Sequence, residues 1–158
     1  MPNKPSIRPL SAFLKALSQE KIDCILIGMM AAVEQGAPLS TVDYDFWINL
    51  SERRYLRLHQ IVRALKGTVV APTLFELSDG TQVNVVFRAD GLRSFDFELK
   101  NCHLGKLAGH RVQVLGLQRI IASKRASGRP KDLATLPVLE DTLRLSDRLK
   151  KKTKRSSL

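Results

Sequence analysis

An α/β or α+β domain built around a mixed sheet is the fold class that this 158-residue sequence predicts. Three observations predict it. Helix-period segments alternate with short apolar runs through the first half of the chain. One Asp-Gly pair, Asp79-Gly80, sits between two strand-like runs and marks a hairpin. Hydrophobic residues make up 44% of the chain, which is enough to bury a core at this length.

The elements follow in order. After a Pro-containing lead, "SAFLKALSQEKI" repeats Ala12, Phe13, Ala16 and Leu17 at helical spacing, with Ser11 as N-cap. "DCILIG" is a continuous apolar run ending in glycine and predicts a buried strand. "MMAAVEQ" predicts a short helix closed by Gly36. "TVDYDFWINL" alternates, with Val42, Tyr44, Phe46 and Ile48 on one face and Asp43, Asp45, Trp47 and Asn49 on the other. Ser51 can cap "ERRYLRLHQIVRALKG", whose stripe is Tyr55, Leu58, Ile61, Val62 and Leu65. "TLFELSDGTQVNVVF" is the hairpin. "GKLAGHRVQVLG" predicts a further turn at Gly109 and a strand, and "LQRIIASKRAS" a helix stopping at Gly128. "RPKDLATLPVLEDTLRLSDRLKKK" predicts one or two more helices, with Pro130 in a first turn. The expected order is α-β-α-β-α-β-β-β-α-α.

The net charge is +11 and favours a polyanionic partner. It is uneven: residues 144–158 carry seven Lys/Arg against one Asp. That segment is expected to be a disordered, solvated tail, or a salt-sensitive tether to RNA or DNA. The expected layout is a lead over 1–9, a domain over 10–143 and the tail over 144–158. Cys24 and Cys102 have no metal spacing, and His59, His103 and His110 are scattered, so no zinc site is expected. A reducing cytoplasm fits the cysteine usage, the first residues lack an apolar signal core, and no run is long enough to span a bilayer.

Chemistry is concentrated early. Gly28 permits a sharp turn from strand into helix, and free N–H groups at a helix start favour phosphate. Asp43 and Asp45, two apart on a strand, point the same way, and their hard oxygens suit Mg²⁺ (or Mn²⁺). Such an ion would bridge the carboxylates to a triphosphate at the glycine turn. Alone, the acidic pair is better described as a wet strand face. Trp47 could stack a base or pack beneath a helix. Arg129 and Lys131 are loop charges or line a phosphate path, and Asp132 is a helix-start residue.

"LIGMMAAVEQGAPLSTVDYDFWINL" resembles the nucleotidyltransferase superfamily of polymerase-β-like fold. Gly28 matches the family's glycine turn, and Asp43 and Asp45 match its acidic pair. "LQRIIASKRASGRPKDLATL" resembles the C-terminal segment of small bacterial members related to the abortive-infection toxin of type IV toxin–antitoxin systems. There Lys124 matches a lysine that contacts nucleotide phosphates, and Asp132 matches the acid opening the final helix. The resemblance implies a mixed sheet flanked by helices with C-terminal helices, and nucleotide binding by Gly28, Met29, Asn84 and Lys124. It implies catalysis by Asp43, Asp45 and Lys124, with the metal on Asp43 and Asp45. It also implies an NTP substrate, with an RNA, tRNA or partner-protein hydroxyl as acceptor.

Three positions depart from the pattern. Thr135 stands where the family's Asp-x-x-Asp run, starting at Asp132, has its second acid. Met29 stands where a second glycine or a serine is usual, and Asn84 stands at the third carboxylate. An asparagine cannot act as a base. With a two-residue turn, Asn84 would pair with Phe75 and Glu76 would fall on the opposite face. The alternative reading is therefore a catalytically degenerate module of the same fold that binds nucleotide, nucleic acid or a partner protein.

Overall fold

The computed structural model describes residues 8–156. The first helix, α1 (Pro9–Gln19), starts two residues before the expected Ser11 cap, with Pro9 at its first position and Arg8 as N-cap. Proline suits that position because its missing N–H has no intrahelical partner there. The chain continues through β1 (Cys24–Ile27), α2 (Gly28–Glu34), β2 (Tyr44–Ile48), α3 (Glu52–Ala64), β3 (Thr68–Ala71), β4 (Leu74–Glu76) and β5 (Gln82–Val86). It ends with α4 (Phe95–Lys100), β6 (His103–Leu107), β7 (His110–Val114), α5 (Leu117–Ser127) and α6 (Pro130–Ser156). The expected α/β class holds; β3, α4 and β6 are additions, each too short for its periodicity to register.

All seven strands form one mixed sheet in the order β3-β4-β5-β2-β1-β7-β6. β1 is antiparallel to β2 but parallel to β7, and β2 is parallel to β5. The central strand β2 is covered on both faces. Phe46 meets Phe13 of α1 at 6.4 Å between ring centroids, and Trp47 meets the edge of Phe95 of α4 at 5.3 Å. This double cover is why Phe46, Trp47 and Ile48 are all buried, where alternation alone predicts one wet face. Trp47 is spent on packing and is not available to stack a base.

The Asp79-Gly80 hairpin forms with a different register from the expected one. Leu77 N–H bonds Thr81 O at 2.8 Å, leaving a three-residue turn with Gly80 at φ +87. Asn84 therefore faces Leu74 and Glu76 faces Gln82. Glu76 shares the strand face of Asn84 after all, but it lies further along the strand, toward the turn.

The basic segment also differs from expectation. Residues 144–156 are the continuation of α6, not a separate disordered tail, and 157–158 lie outside the described residues. α6 is anchored earlier, where Leu139 and Thr142 are buried. Helix-forming Leu, Lys and Arg then propagate it without a break. Among the described residues no helix is long and apolar enough to cross a membrane.

A buried ion pair ties α4 to α5. Glu98 is fully buried, and its carboxylate accepts from Arg119 Nε at 3.0 Å, from Arg119 Nη2, and from Arg93 N–H at 3.1 Å. The Arg119 hydrogen bonds hold Glu98 below the usual carboxylate range, against the opposing effect of burial. The stability this pair contributes is present at neutral pH and is lost as pH falls through the depressed Glu98 value. Arg119→Met should cost about 3 kcal/mol in urea unfolding at pH 7, because it strands a buried charge. Glu98→Gln should flatten the acid limb of the stability–pH curve below about pH 4.

Candidate functional site

β1 and β2 run antiparallel with Ile27 opposite Asp45. Ile27 is extended, and the next residue, Gly28, turns at φ +69 into α2. A Cβ on Gly28 would sit 2.6 Å from Asp45 Oδ2. Both the positive φ and this approach require glycine. The chain thus lays a carboxylate directly against the backbone of a strand-to-helix turn.

On the other side of β2, the parallel pairing sets Asp45 opposite Asn84 of β5. Asn84 Nδ2 donates to Asp45 Oδ1 at 3.3 Å, a long bond. Asp45 is half-buried, and burial pushes its pKa above the ordinary value. The Asn84 hydrogen bond opposes that, the Asp43 charge adds to it, and Lys124 and Lys131 pull it back. Asp43 lies exposed just before β2, close enough for its charge to be felt.

The facing wall is α5 and the start of α6. Gly128 at φ +64 ends α5 in a left-handed cap, and Pro130 starts α6. The turn brings Asp132 back onto the last turn of α5. Lys124 Nζ lies 3.1 Å from Asp132 Oδ1, and Ser127 Oγ donates to Asp132 Oδ2 at 2.6 Å. The Ser127 bond, then Lys124, holds the Asp132 carboxyl below its ordinary pKa, with burial working against them. Arg129 lies 3.6 Å from Asp132 and 3.7 Å from Asp90, bridging the two rims while largely exposed.

Between these walls is a cavity of about 280 Å³, at the small end of ligand sites. Gly28, Asp45, Asn84, Lys124, Arg129 and Asp132, six of the residues singled out in the sequence, line it. Asp43 stands outside the lining, and Met29 is half-buried on α2 away from it. Glu76 is also outside, despite its shared face with Asn84. Arg88 and Asp90, not singled out in the sequence, join the lining. Arg88 was legible in principle: the alternation that places Asn84 and Val86 continues to it. Gly91 at φ +69 lays this loop on α5, where a Cβ would sit 2.4 Å from Ala126 Cβ.

The donor set fits a hard divalent cation. Among the described residues no group of three or more His, Cys, Asp or Glu gathers for a metal. Mg²⁺ needs only one or two carboxylates when water and phosphate fill its other positions. Asp45 holds a charge in a partly desolvated niche with one long hydrogen bond, which a cation would relieve. Asn84 turns its N–H to Asp45, so its carbonyl is not the group offered there.

No family model and no curated protein sequence matches this chain. Solved structures do. The antibiotic-resistance factor ANT(2'')-Ia, determined with adenylyl-2''-tobramycin, superposes with a TM-score of 0.57 at 16% identity, over 95% of this chain and 99% of that one. A protein of Thermotoga maritima described as a nucleotidyltransferase gives 0.55 at 20% identity, over 87% and 93%. An antigenic nucleotidyltransferase-like protein from Paracoccidioides brasiliensis gives 0.55 at 16%, over 89% and 77%. The likeness shows that this chain has the nucleotidyltransferase fold, as the sequence resemblance implied.

Two substitutions test the geometry. Gly28→Ala should lower stability by at least about 1–2 kcal/mol from the left-handed backbone alone, before the clash with Asp45 is added. Asp45→Asn should do the opposite. Because the Asp45 pKa is raised on folding, its contribution falls as pH rises through that raised value, and at pH 7 its charge opposes folding. Asp45→Asn should therefore raise the thermal midpoint at pH 7 and remove that pH dependence, read by calorimetry.

Proposed function

We propose that this chain, built on the nucleotidyltransferase fold, is a divalent-metal-dependent nucleotidyltransferase. It moves a nucleoside monophosphate from an NTP to a hydroxyl acceptor and releases pyrophosphate. The observation that carries the reading is the Asp45 carboxylate lying against the Gly28 turn, with Lys124 in the same cavity.

Asp45, with Asp43 beside it, would hold Mg²⁺ or Mn²⁺. When bound, such an ion supplies charge neutralisation to the phosphates. The chain's own residues do the rest. Gly28 lets phosphate oxygens approach the backbone that opens α2. Lys124, Arg88 and Arg129 take up phosphate charge, and Lys124 exchanges the Asp132 carboxylate for it. The acceptor oxygen bonds the α-phosphorus as the bond to the β-phosphate oxygen breaks. The hydroxyl proton passes to solvent, because Asn84 cannot take it. A missing general base typically costs about 10²–10⁴-fold, which slows the reaction without abolishing it.

RNA, tRNA and a partner protein are the acceptors that fit the sequence resemblance, and residues 117–136 support a role in a toxin–antitoxin pair. The adenylylated aminoglycoside held by ANT(2'')-Ia adds a small-molecule hydroxyl to be tried. A specific observation favours a second reading: Asn84 is committed to Asp45 as a donor, as in a site kept for binding alone.

Incubation with α-labelled NTPs, Mg²⁺ and each acceptor class separates the two readings. Transfer predicts a labelled acceptor, no label with chelator or with Asp45→Ala, and a loss of about 10²-fold with Lys124→Ala. NTP binding with no labelled acceptor in any arm would leave the binding module.

A further inference from the structure

The transfer reading leaves the last half of α6 unused. From Arg144 to Ser156 it carries seven Lys/Arg and one Asp. Arg144, Arg148, Lys151 and Arg155 are spaced by four, three and four residues and so form one stripe, and all are exposed. At about 1.5 Å per residue the stripe runs for about 16 Å. Arg144 is paired with Asp141, but Arg148, Lys151 and Arg155 are in no ion pair among the described residues. Asp147 turns instead to a neighbouring groove with Arg119 and Lys150.

Like charges three and four apart repel along a helix. The helix dipole favours cations, but only within the final turn. Between Arg144 and Lys151 the repulsion is thus a cost that a polyanion would offset. Leu145, three residues before Arg148, borders the stripe, and Leu149 lies one row further round, toward a groove with Gly36 and Pro38; the two are 58% and 65% exposed. Cations in a row beside exposed apolar side chains suit a single strand, whose phosphates and unstacked bases are both free. A duplex would leave the leucines uncovered. The head of α6 meanwhile lines the site: Asp132 borders the cavity, and Arg144 lies about 18 Å further along the axis.

We propose that this stripe is a docking rail for single-stranded RNA, gripping backbone phosphates without reading sequence. RNA meets all the chemistry present: phosphates for the cations, bases for Leu145 and Leu149, and ribose hydroxyls at its end. Only the last of these, delivery of an acceptor hydroxyl to the cavity, rests on the transfer reading.

Fluorescence anisotropy of the full chain with a labelled RNA of about 20 nucleotides tests it, between about 50 and 200 mM salt. Replacing Arg148, Lys151 and Arg155 by Gln should weaken binding at least about tenfold at the lowest salt. The slope of log K against log salt should shrink by about 2, at roughly 0.7 for each phosphate no longer neutralised. Replacing Arg53, Arg63 and Lys66 by Gln removes the same charge elsewhere and should change affinity less than about twofold. Asp45→Ala should leave binding intact, so a chain that binds RNA but transfers nothing overturns only the transfer reading. Equal losses from both triple variants, no loss from the α6 variant, loss on Asp45→Ala, or tighter binding of an equal-length DNA duplex would each overturn the rail.

Discussion

The structure depends on the contact between a backbone and a charge. Gly28 and Asp45 approach so closely that no side chain fits between them. The β1–β2 register fixes that approach, because Ile27 faces Asp45 and the next residue must turn. The register in turn is held by burial on both faces of β2, by Phe13 against Phe46 and by Phe95 against Trp47. A one-residue slip would send Asp45 toward α1 and Phe46 into the cavity. The apolar packing of the sheet is therefore also what aims the carboxylate.

The opposite wall is organised by compensation. Lys124, Arg129 and Ser127 converge on Asp132, and Arg129 reaches Asp90 across the rim. Each cation facing Asp132 already has an acid, so none needs a ligand to be stable. Phosphate oxygens would enter by exchange, replacing one acceptor for Lys124 with another of higher charge. The Arg129 contacts are long and exposed, so they yield most readily. Asp45 has no such partner. The two walls differ in kind, one neutralised within the chain and the other left with excess charge, and a metal–polyphosphate pair complements both.

Much of this was legible in the sequence, for identifiable reasons. The strand, glycine, helix and acidic strand were readable because each is local: a positive φ, a short apolar run, a two-residue alternation. Lys124 was placed by resemblance, and only the fold shows it against Asp132. What could not be read was set by long-range register. The three-residue turn shifted the pairing of Asn84 from Phe75 to Leu74 and moved Glu76 to the other face. The choice between the two readings of Trp47 stayed open because its partner, Phe95, sits in a six-residue helix too short to show a period. The buried Glu98–Arg119 pair left no signal for the same reason. The basic end looked disordered by composition, although its residues are also good helix formers continuing an anchored helix.

Calorimetric titration of a non-hydrolysable NTP, with and without Mg²⁺, tests the central arrangement most directly. The geometry predicts that NTP binding requires the divalent ion and that Asp45→Asn weakens it at least about tenfold, the carboxylate being the ion's main anchor. Equal NTP affinity in chelator and in Mg²⁺, undiminished by Asp45→Asn, would contradict the account and leave the Gly28–Asp45 contact a structural feature only.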